Sequence, residues 1–319
     1  MRVGIVGAGM AGLSCAAVLR RQNYQITLFD KGRGPGGRMS TRRVSTSLGD
    51  ASFDHGAQYF TARDPAFAAQ VEAWRATGVA ARWPAAGAGA WVGTPAMSSP
   101  VRALSTGLDV RWGTRVMRLE PGRDCGWWLH GESMAPELFD AVVIAVPAEQ
   151  VSELIEVYQP AFAAQALTER SMPSWTMMAA FAEPLPVGPD CLRDKAIIGW
   201  AARNSAKPGR TGPETWVVQA TPEWSTTHLE DDATRVAETL LAALAEAINA
   251  KLPAALGLAA HRWRYARSSG SGAVMLWDGD RRIGLCGDWL IGPRVESAWL
   301  SGFHLATAII AGEFALQDT

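Results

Sequence analysis

The sequence predicts an α/β protein with two lobes, and three observations lead to that prediction. The chain has 319 residues, which is enough to bury two hydrophobic cores. Its first 30 residues have the pattern strand, helix, strand. Apolar runs of strand length then recur along the chain, interspersed with longer helical segments.

The opening unit begins with a β-branched run at 2–6, read as a buried parallel strand. An Ala- and Leu-rich helix follows at 11–22, and a second strand at 25–29 ends at Asp30. A strand, a crossover helix and a second parallel strand of this length form a Rossmann-like βαβ unit.

The turn between the first strand and the helix reads Gly7-Ala8-Gly9-Met10-Ala11-Gly12. In a GxGxxG turn the first glycine permits a tight bend, the second lets a diphosphate approach the backbone, and the third lets helix and strand pack closely. The helix N-terminus adds free N–H groups and a positive dipole end. Asp30, 18 residues beyond Gly12, is placed to accept ribose hydroxyls and disfavours a 2′-phosphate, and therefore NADP.

Residues 31–62 are predicted to form a loop rich in glycine and arginine. Gly36-Gly37-Arg38-Met39 offers two glycines for close backbone approach, and Arg38 offers a cation for a diphosphate. The run Asp54-His55-Gly56-Ala57-Gln58-Tyr59-Phe60 follows, and this segment is called the DHGAQYF loop below.

Further elements are expected along the rest of the chain. They are helices at 65–77 and after Ser99-Pro100, a meander at 108–112, 115–119 and 126–130, strands at 140–146, 175–181, 197–202, 216–220, 261–266 and 282–286, and helices at 231–252 and 296–314. We therefore expect a discontinuous nucleotide-binding lobe at 1–62, 98–150 and 260–319, and a substrate lobe with a mixed sheet at 63–97 and 151–259.

The C-terminal part of the chain indicates FAD rather than NAD as the dinucleotide. A strand runs into Gly287-Asp288, and a long helix then opens with Glu296, Ser297 and Ala298. A second helix N-terminus suits the negative charge of a reduced isoalloxazine, and Asp288 is placed to accept from a ribityl hydroxyl. A plain NAD dehydrogenase would have no use for these features.

Composition excludes several classes of partner. The formal net charge of −1 predicts no nucleic-acid or anionic-membrane partner. Four scattered cysteines predict no metal site and no disulfide framework, and they fit the reducing cytoplasm. The glycines after 2–6 argue against a signal peptide, and no apolar run reaches the length of a membrane span.

Together these motifs resemble the flavin-containing amine oxidase superfamily, which shares the p-hydroxybenzoate-hydroxylase-like FAD fold. GGRM followed by DHGAQYF, in so short a chain, is most similar to renalase and its bacterial relatives. VVIAVP, RWRYA, GLCGDW and VESAWLSG extend the resemblance towards the C-terminus.

The resemblance implies roles for particular residues. Arg38 would reach the diphosphate, Gln58 and Tyr59 would lie beside the flavin, and the backbone of Val116 would contact adenine. The predicted FAD contacts are Gly7, Gly9, Met10, Ala11, Gly12, Asp30, Lys31, Gly37, Arg38, Gly56, Ala57, Gln58, Tyr59, Val116, Asp288, Glu296, Ser297 and Ala298.

Renalases oxidise 2- or 6-dihydro isomers of NAD(P)H to NAD(P)⁺, and O₂ is reduced to H₂O₂. The resemblance implies this activity here, on a small-molecule substrate, with an active site between the two lobes. Candidate substrate-pocket residues are Tyr59, Trp263, Arg264 and Tyr265, although both aromatic residues of the strand equally suit core packing. Arg264, between two aromatic residues, would be costly to bury without a partner.

Two other functions remain open at this stage. One is an amine oxidase or desaturase of the same superfamily. Amine oxidases often place a lysine near flavin N5, and none of Lys31, Lys195, Lys207 and Lys251 lies in a recognisable version of that motif. The other is a flavoprotein whose FAD is structural or redox-sensing and does not turn over.

Overall fold

The computed structural model describes residues 1–132, 134–186 and 188–317, with only the backbone described for 313–317. The strands are β1 (Arg2–Val6), β2 (Gln25–Asp30), β3 (Thr41–Thr46), β4 (Gly49–Asp54), β5 (Ala80–Arg82), β6 (Trp91–Gly93), β7 (Asp109–Trp112), β8 (Val116–Pro121), β9 (Trp127–Gly131), β10 (Met134–Phe139), β11 (Ala141–Ile144), β12 (Met172–Phe181), β13 (Cys191–Lys195), β14 (Ile198–Arg203), β15 (Glu214–Ala220), β16 (Gly257–Arg267), β17 (Leu276–Asp278) and β18 (Ile283–Leu285). The α-helices are α1 (Met10–Arg21), α2 (Pro65–Ala76), α3 (Ser99–Ser105), α4 (Ser152–Ile155), α5 (Pro160–Thr168), α6 (Pro222–Thr227), α7 (Ala233–Ala247), α8 (Asp288–Ile291) and α9 (Val295–Gln317).

The chain forms two compact units, each discontinuous in sequence. Unit 1 comprises Met1–Gly37, Val101–Ser171 and Arg267–Thr319, and unit 2 comprises Arg38–Pro100 and Met172–Ala266. Within the described residues, no helix combines the length and apolar character that crossing a bilayer requires.

Unit 1 is built on a six-stranded sheet with the order β17-β18-β11-β1-β2-β7. The strands from β18 to β7 are parallel to their neighbours, and β17 is an antiparallel edge strand. After Arg2, every residue of β1 is buried, as expected for the centre of a parallel sheet. Helix α1 connects β1 to β2, so the predicted βαβ unit is present.

A three-stranded meander, in the order β10-β9-β8, packs on this sheet. The rings of Phe29 and Phe139 meet edge to face with centroids 5.8 Å apart. Trp127, Leu129, Ile144 and Leu285 are buried in the same core.

Unit 2 is built on a five-stranded sheet with the order β13-β14-β15-β12-β16. Successive side chains of a strand point to opposite faces. Met177 and Ala179 of β12 therefore pack with α7, whereas Met178 and Ala180 pack with the β3–β4 hairpin. The face that carries the hairpin is called the hairpin face below.

Several predicted elements need correction. The segment 31–62, predicted to be a loop, contains the β3–β4 hairpin, whose residues Ala51 and Phe53 are buried against the unit 2 sheet. The strand predicted at 108–112 is β7, which pairs with β2, and the third strand of the meander is β10. The sequence showed local strand patterns but not the pairing partners.

The unit boundaries also differ from the predicted lobe boundaries. Residues 38–62, 98–100 and 260–266 belong to unit 2, because the hairpin packs on its sheet and β16 is one of its strands. Residues 151–171 belong to unit 1, because α4 and α5 bury Leu154, Ile155, Ala163 and Ala166 in its core.

Candidate functional site

In unit 1 the glycine turn after β1 has the geometry of a diphosphate cradle. Gly7 has a φ of +104°, and a Cβ there would overlap the carbonyl oxygen of Ala145, so only glycine fits. A Cβ at Gly12 would overlap the carbonyl oxygen of Gly7. A Cβ at Gly9, in contrast, would meet no atom within 4 Å. The space above Gly9 is therefore open to a ligand.

Helix α1 begins at this open space. Gly9 is its N-cap residue and supplies no side-chain cap, and the first turn contains no acidic residue. The first N–H groups of a helix have no partner within it and attract anions. Met10 and Ala11, which are buried, provide these groups.

Asp30, at the end of β2, holds the glycine turn in place. Its Oδ2 accepts a hydrogen bond from the Ala8 N–H at 2.7 Å, and its Oδ1 accepts one from the Gly32 N–H at 2.7 Å. A carboxylate offers about four acceptor positions, so capacity remains for ribose hydroxyls. The neighbouring Lys31 donates from Nζ to Gln150 Oε1 at 3.2 Å, on the surface.

The first turn of α9 is the second polar region of unit 1. Glu296, Ser297 and Ala298 are buried, and Ser297 Oγ has no hydrogen-bond partner in the described part of the chain. A buried hydroxyl without a partner is costly, so a ligand acceptor or donor here would be stabilising. Asp288, also buried, begins the short helix α8.

These features fit the adenine-dinucleotide part of FAD. The open glycine turn suits a diphosphate, Asp30 suits a ribose, and the unpartnered Ser297 hydroxyl leaves a polar group for the cofactor. Val116, at the start of β8, is buried in the core and pairs with Gly131. Thr114, two residues before Val116, donates its N–H to the Asp30 carbonyl oxygen at 2.9 Å, so the segment that leads into β8 lies next to Asp30.

In unit 2 the DHGAQYF loop leaves the hairpin after β4. A Cβ at Gly56 would overlap the carbonyl oxygen of Arg38, and the Ala57 N–H donates to that same oxygen at 2.8 Å. Gln219, on the hairpin face of β15, donates from Nε2 to the Gly56 carbonyl at 2.7 Å. The two predicted motifs, GGRM and DHGAQYF, therefore meet through the backbone of Arg38.

Asp54 is the centre of a buried charged network. Its Oδ2 lies 3.2 Å from Lys207 Nζ and 2.5 Å from Arg210 Nη2, and its Oδ1 accepts the Met97 N–H at 3.0 Å. Burial alone would raise the pKa of Asp54, but Lys207 and Arg210 outweigh it and lower the pKa to about 2. Burial lowers the pKa of Lys207 to about 8, although Asp54 opposes that change. The carboxylate is therefore charged at neutral pH.

The same network fixes the amide of Gln58. Lys207 Nζ donates to Gln58 Oε1 at 3.1 Å, and Gln58 Nε2 donates to the carbonyl oxygens of Asp54 and Gly56. Both ends of the amide are occupied, so the loop is held as a closed turn with Gln58 inside it.

His55 lies in an aromatic cluster with His261 and Trp263 of β16. The ring centroids of His55 lie 4.9 Å from His261 and 5.0 Å from Trp263, and Trp263 Nε1 donates to the His55 carbonyl oxygen at 2.8 Å. Burial, followed by the positive charges of His261 and Arg42, lowers the pKa of His55 to about 4. His55 is therefore neutral at pH 7.

Tyr59 is the large side chain of the loop that stays partly exposed. Its ring centroid lies 5.3 Å from that of Trp200 on β14, with the planes tilted by 38°. The guanidinium of Arg193, on the edge strand β13, lies 4.4 Å from the Trp200 centroid and 5.8 Å from the Tyr59 centroid. The three residues form an aromatic surface with a cation on it.

The structure changes the interpretation of the candidate substrate residues on β16. Arg264 is exposed and forms a two-bond ion pair with Glu230, so its charge already has a partner and the cost of burying it unpaired no longer indicates a role in the substrate pocket. Trp263 fixes the loop through His55. Tyr265 shares the strand face of Trp263, because residues two apart point the same way.

Lys207, Arg210, Arg193 and Trp200 are site residues that the sequence did not indicate. Lys207 and Arg210 lie in a connection rich in small and polar residues, NSAKPGR, which shows no periodicity. Arg193 and Trp200 could have been linked by their spacing, because they lie on either side of the turn that joins β13 to β14. In the structure they face each other in that strand pair. The described residues contain no group of three or more His, Cys, Asp or Glu side chains arranged to hold a metal ion.

Comparison with family models identifies two segments. Residues 5–73 match the NAD(P)-binding Rossmann-like domain, and residues 84–310 match the flavin containing amine oxidoreductase family. The second match covers most of the chain.

Two curated relatives match parts of the chain. The tRNA 5-methylaminomethyl-2-thiouridine biosynthesis bifunctional protein MnmC of Magnetococcus marinus is 29% identical over 198 residues, which are 46% of this chain and 29% of that protein. The zeta-carotene-forming phytoene desaturase of Myxococcus xanthus is 44% identical over 43 residues, which are 14% of this chain and 8% of that protein. The chain thus spans less than a third of the length of either relative.

Solved structures share the fold over nearly the whole chain. A candidate protoporphyrinogen oxidase from Exiguobacterium sp. 255-15 has a TM-score of 0.78 at 13% identity, covering 97% of this chain and 98% of that one. The cyclohexylamine oxidase from Brevibacterium oxydans IH-35A has a TM-score of 0.70 at 13% identity, with 97% and 98% covered. The chain therefore belongs to the flavin-containing amine oxidoreductase family, and it is an FAD-dependent oxidoreductase with the Rossmann-like fold of that family.

Proposed function

We propose that this FAD-dependent oxidoreductase oxidises the 2- or 6-dihydro isomers of NAD(P)H to NAD(P)⁺ and passes the electrons to O₂, giving H₂O₂. GGRM and DHGAQYF, on which the resemblance to renalase rests, meet through Arg38 and Gly56. In the proposed arrangement, Gly9, Asp30 and Ser297 of unit 1 contact the cofactor.

The observation that carries the proposal is that the acid–base side chains of the DHGAQYF loop, Asp54 and His55, are buried. Asp54 is fully buried and bound by two cations, and His55 is only 6% exposed and neutral. Tyr59, in contrast, remains partly exposed and lies against Trp200. The loop thus presents the ring of Tyr59 to a ligand, but its Asp54 and His55 are not accessible to act as a general base.

This arrangement suits a dihydronicotinamide. Loss of a hydride from that ring gives the nicotinamide cation directly and releases no proton, so the reaction needs no general base. An alkylammonium ion, in contrast, must lose a proton before its carbon can release a hydride. Bound FAD supplies the hydride acceptor. The chain contributes orientation, since a planar donor ring can stack on the partly exposed ring of Tyr59.

A small amine is the second candidate substrate. The family and the aromatic pair favour it, because the solved structures with the same fold include the cyclohexylamine oxidase and a putrescine oxidase bound to putrescine. Aromatic faces also bind cations.

Anaerobic rapid mixing distinguishes the two candidates. The purified FAD-loaded protein is mixed with 2- and 6-dihydro isomers of NADH and NADPH, with ordinary 4-dihydro NADH, and with putrescine and cyclohexylamine. We expect the flavin absorbance to bleach with a 2- or 6-dihydro isomer much faster than with any amine. Bleaching by amines alone would overturn the proposal and favour the second candidate.

A further inference from the structure

Arg193 has an unusual position for a residue on an edge strand. In the antiparallel pair β13–β14 it lies directly opposite Trp200, so both side chains project from the same face of the sheet. That face is the hairpin face, since Ala201, the neighbour of Trp200, packs on the α7 side. The guanidinium therefore lies on the side of the sheet that carries the DHGAQYF loop.

The guanidinium is held in one orientation by three contacts. It stacks on Trp200, approaches the Tyr59 ring, and donates from Nη2 to the carbonyl oxygen of Ala86 at 2.7 Å. A stacked and hydrogen-bonded arginine has already lost most of its side-chain freedom, so binding a ligand costs little further ordering.

The charge of Arg193 is also uncompensated. Elsewhere in unit 2, Arg203 pairs with Glu214, Arg210 with Asp54, and Arg264 with Glu230. Among the described residues, no carboxylate lies within ion-pairing distance of Arg193. One of its five N–H groups is used by Ala86, and the indole Nε1 of Trp200 likewise has no acceptor there.

The buried network adds to this positive potential. Asp54 carries one negative charge, whereas Lys207 and Arg210 carry two positive charges when Lys207 is protonated. Lys207 Nζ also lies 5.2 Å from the centroid of the Trp83 ring. An ammonium ion approaching Tyr59 and Trp200 would meet a face that already binds a cation, whereas an anion would be attracted.

We infer that Arg193, held over Tyr59 and Trp200, forms an anion-binding subsite that selects a phosphate-bearing nicotinamide nucleotide over a cationic amine. The inference rests on the proposed function and names the part of the substrate that this surface recognises. The phosphate group binds the free edge of the guanidinium, which matches phosphate geometry, and the partly exposed ring of Tyr59 accepts the planar part of the substrate.

A graded substrate series tests the subsite. The 6-dihydro and 2-dihydro forms of nicotinamide riboside, nicotinamide mononucleotide, NAD and NADP carry no phosphate, one phosphate, a diphosphate, and a diphosphate with a 2′-phosphate, respectively. The limiting rate and the apparent Kd of flavin bleaching are measured anaerobically for wild type, Arg193→Gln and Arg193→Lys. A separate titration of the oxidised enzyme with NAD⁺ gives a Kd that does not depend on turnover.

For wild type we expect tighter binding of the phosphorylated donors than of the riboside. Arg193→Gln should weaken the phosphorylated donors and NAD⁺ by roughly 10- to 100-fold and leave the riboside unchanged. Arg193→Lys keeps the charge but loses the planar fork, so its loss should be smaller. Arg235→Ala, an exposed arginine on α7 and so on the opposite face of the sheet, is the matched control and should change none of these values.

The outcomes separate the two proposals. If the riboside and the dinucleotides bleach wild type with equal Kd, or if Arg193→Gln weakens all donors alike, the subsite is overturned and the proposed function stands. If no dihydronicotinamide bleaches wild type, the proposed function fails and the subsite fails with it.

Discussion

Lys207 and Asp54 form an ion pair with an N–O distance of 3.2 Å, and neither side chain is exposed to solvent. The pair is not balanced, because Arg210 binds the same Asp54 oxygen. Removing the carboxylate would leave two buried cations without a counter-charge, whereas removing the lysine would leave the neutral pair Asp54–Arg210.

This asymmetry predicts which of two substitutions destabilises the protein more. Asp54→Asn should lower the free energy of unfolding by about 3–5 kcal/mol, the usual cost of breaking a buried pair by removing one partner. Lys207→Met should cost less, about 1–3 kcal/mol, because it mainly leaves Gln58 Oε1 without a donor. Urea unfolding of the apoprotein and holoprotein measures both values.

The exposed pair Glu72–Arg75 on α2 supplies the control for those measurements. Both side chains are about half exposed, so Glu72→Gln should change stability by less than about 1 kcal/mol. If Asp54→Asn and Lys207→Met lowered the unfolding free energy equally, or if Lys207→Met lowered it more, the buried network would not have the excess positive charge described.

His55 gives stability a specific pH dependence. Its pKa is lowered from 6.5 to about 4 in the folded protein, so the unfolded chain binds more protons between these values. The contribution of His55 is therefore fully present above pH 6.5 and is lost as the pH falls towards 4, amounting to up to about 3 kcal/mol. Asp54 does not interfere, because its pKa of about 2 places its own loss at lower pH.

His55→Phe should remove most of this slope. Phenylalanine keeps a ring beside His261 and Trp263 but cannot be protonated. Unfolding free energies measured from pH 7 to pH 4 should fall more gently in the variant than in wild type. A remaining slope is expected from His261, whose pKa burial also lowers. An unchanged slope would exclude His55 as its main source.

The sequence predicted the local parts of unit 1 well, and for a physical reason. The glycine turn, α1 and Asp30 lie within 30 residues, so a short pattern contains most of their geometry. The strand over 2–6 and the start of the helix at Ser99 were likewise placed correctly, and the last helix begins one residue earlier and ends three residues later than predicted.

What the sequence did not show depends on contacts between distant residues. Lys207 meets Asp54 across 153 positions, and Trp263 meets His55 across 208. The β3–β4 hairpin is rich in polar residues, and only its packing on the unit 2 sheet buries Ala51 and Phe53. Arg264 was a candidate for the site because the sequence did not show its partner. That partner, Glu230, lies 34 residues away.

Asp30 is expected to matter for FAD retention both directly and through the glycine turn. Asp30→Ala removes an acceptor for ribose and also the two backbone bonds from Ala8 and Gly32. A charge-assisted bond contributes about 1.5–3 kcal/mol, so the Kd of FAD should rise by roughly 10- to 150-fold. Fluorescence titration of the apoprotein with FAD measures the change.

Asp30→Asn serves as the matched variant. It keeps one oxygen as an acceptor without the charge, so its Kd should lie between those of wild type and Asp30→Ala. A variant lacking the carboxylate that retains FAD through extensive dilution as wild type does would argue against the assigned role.

Alanine substitution of two glycines in helix α9, Gly302 and Gly312, is expected to change stability in opposite directions. A Cβ at Gly302 would overlap the carbonyl oxygen of Ala11 and lie 3.0 Å from the Cys15 backbone nitrogen, both on α1. Gly302→Ala must therefore push the two helices apart and strain the bond from Ser14 Oγ to the Trp299 carbonyl. We expect a loss of about 1–3 kcal/mol in unfolding free energy, together with weaker FAD binding, since Ala11 lies in the first turn of α1.

Gly312→Ala is the control within the same helix. Its Cβ would meet only Trp277 Nε1, at 3.8 Å, which is ordinary contact distance. Alanine in a helix interior is more favourable than glycine, so this variant should gain about 0.5–1 kcal/mol and keep its FAD affinity. If both variants unfolded at the same urea concentration, the close crossing of α1 and α9 at Gly302 would not be a constraint on the fold, and the position of the α1 N-terminus would have to be fixed by Asp30 and the glycine turn alone.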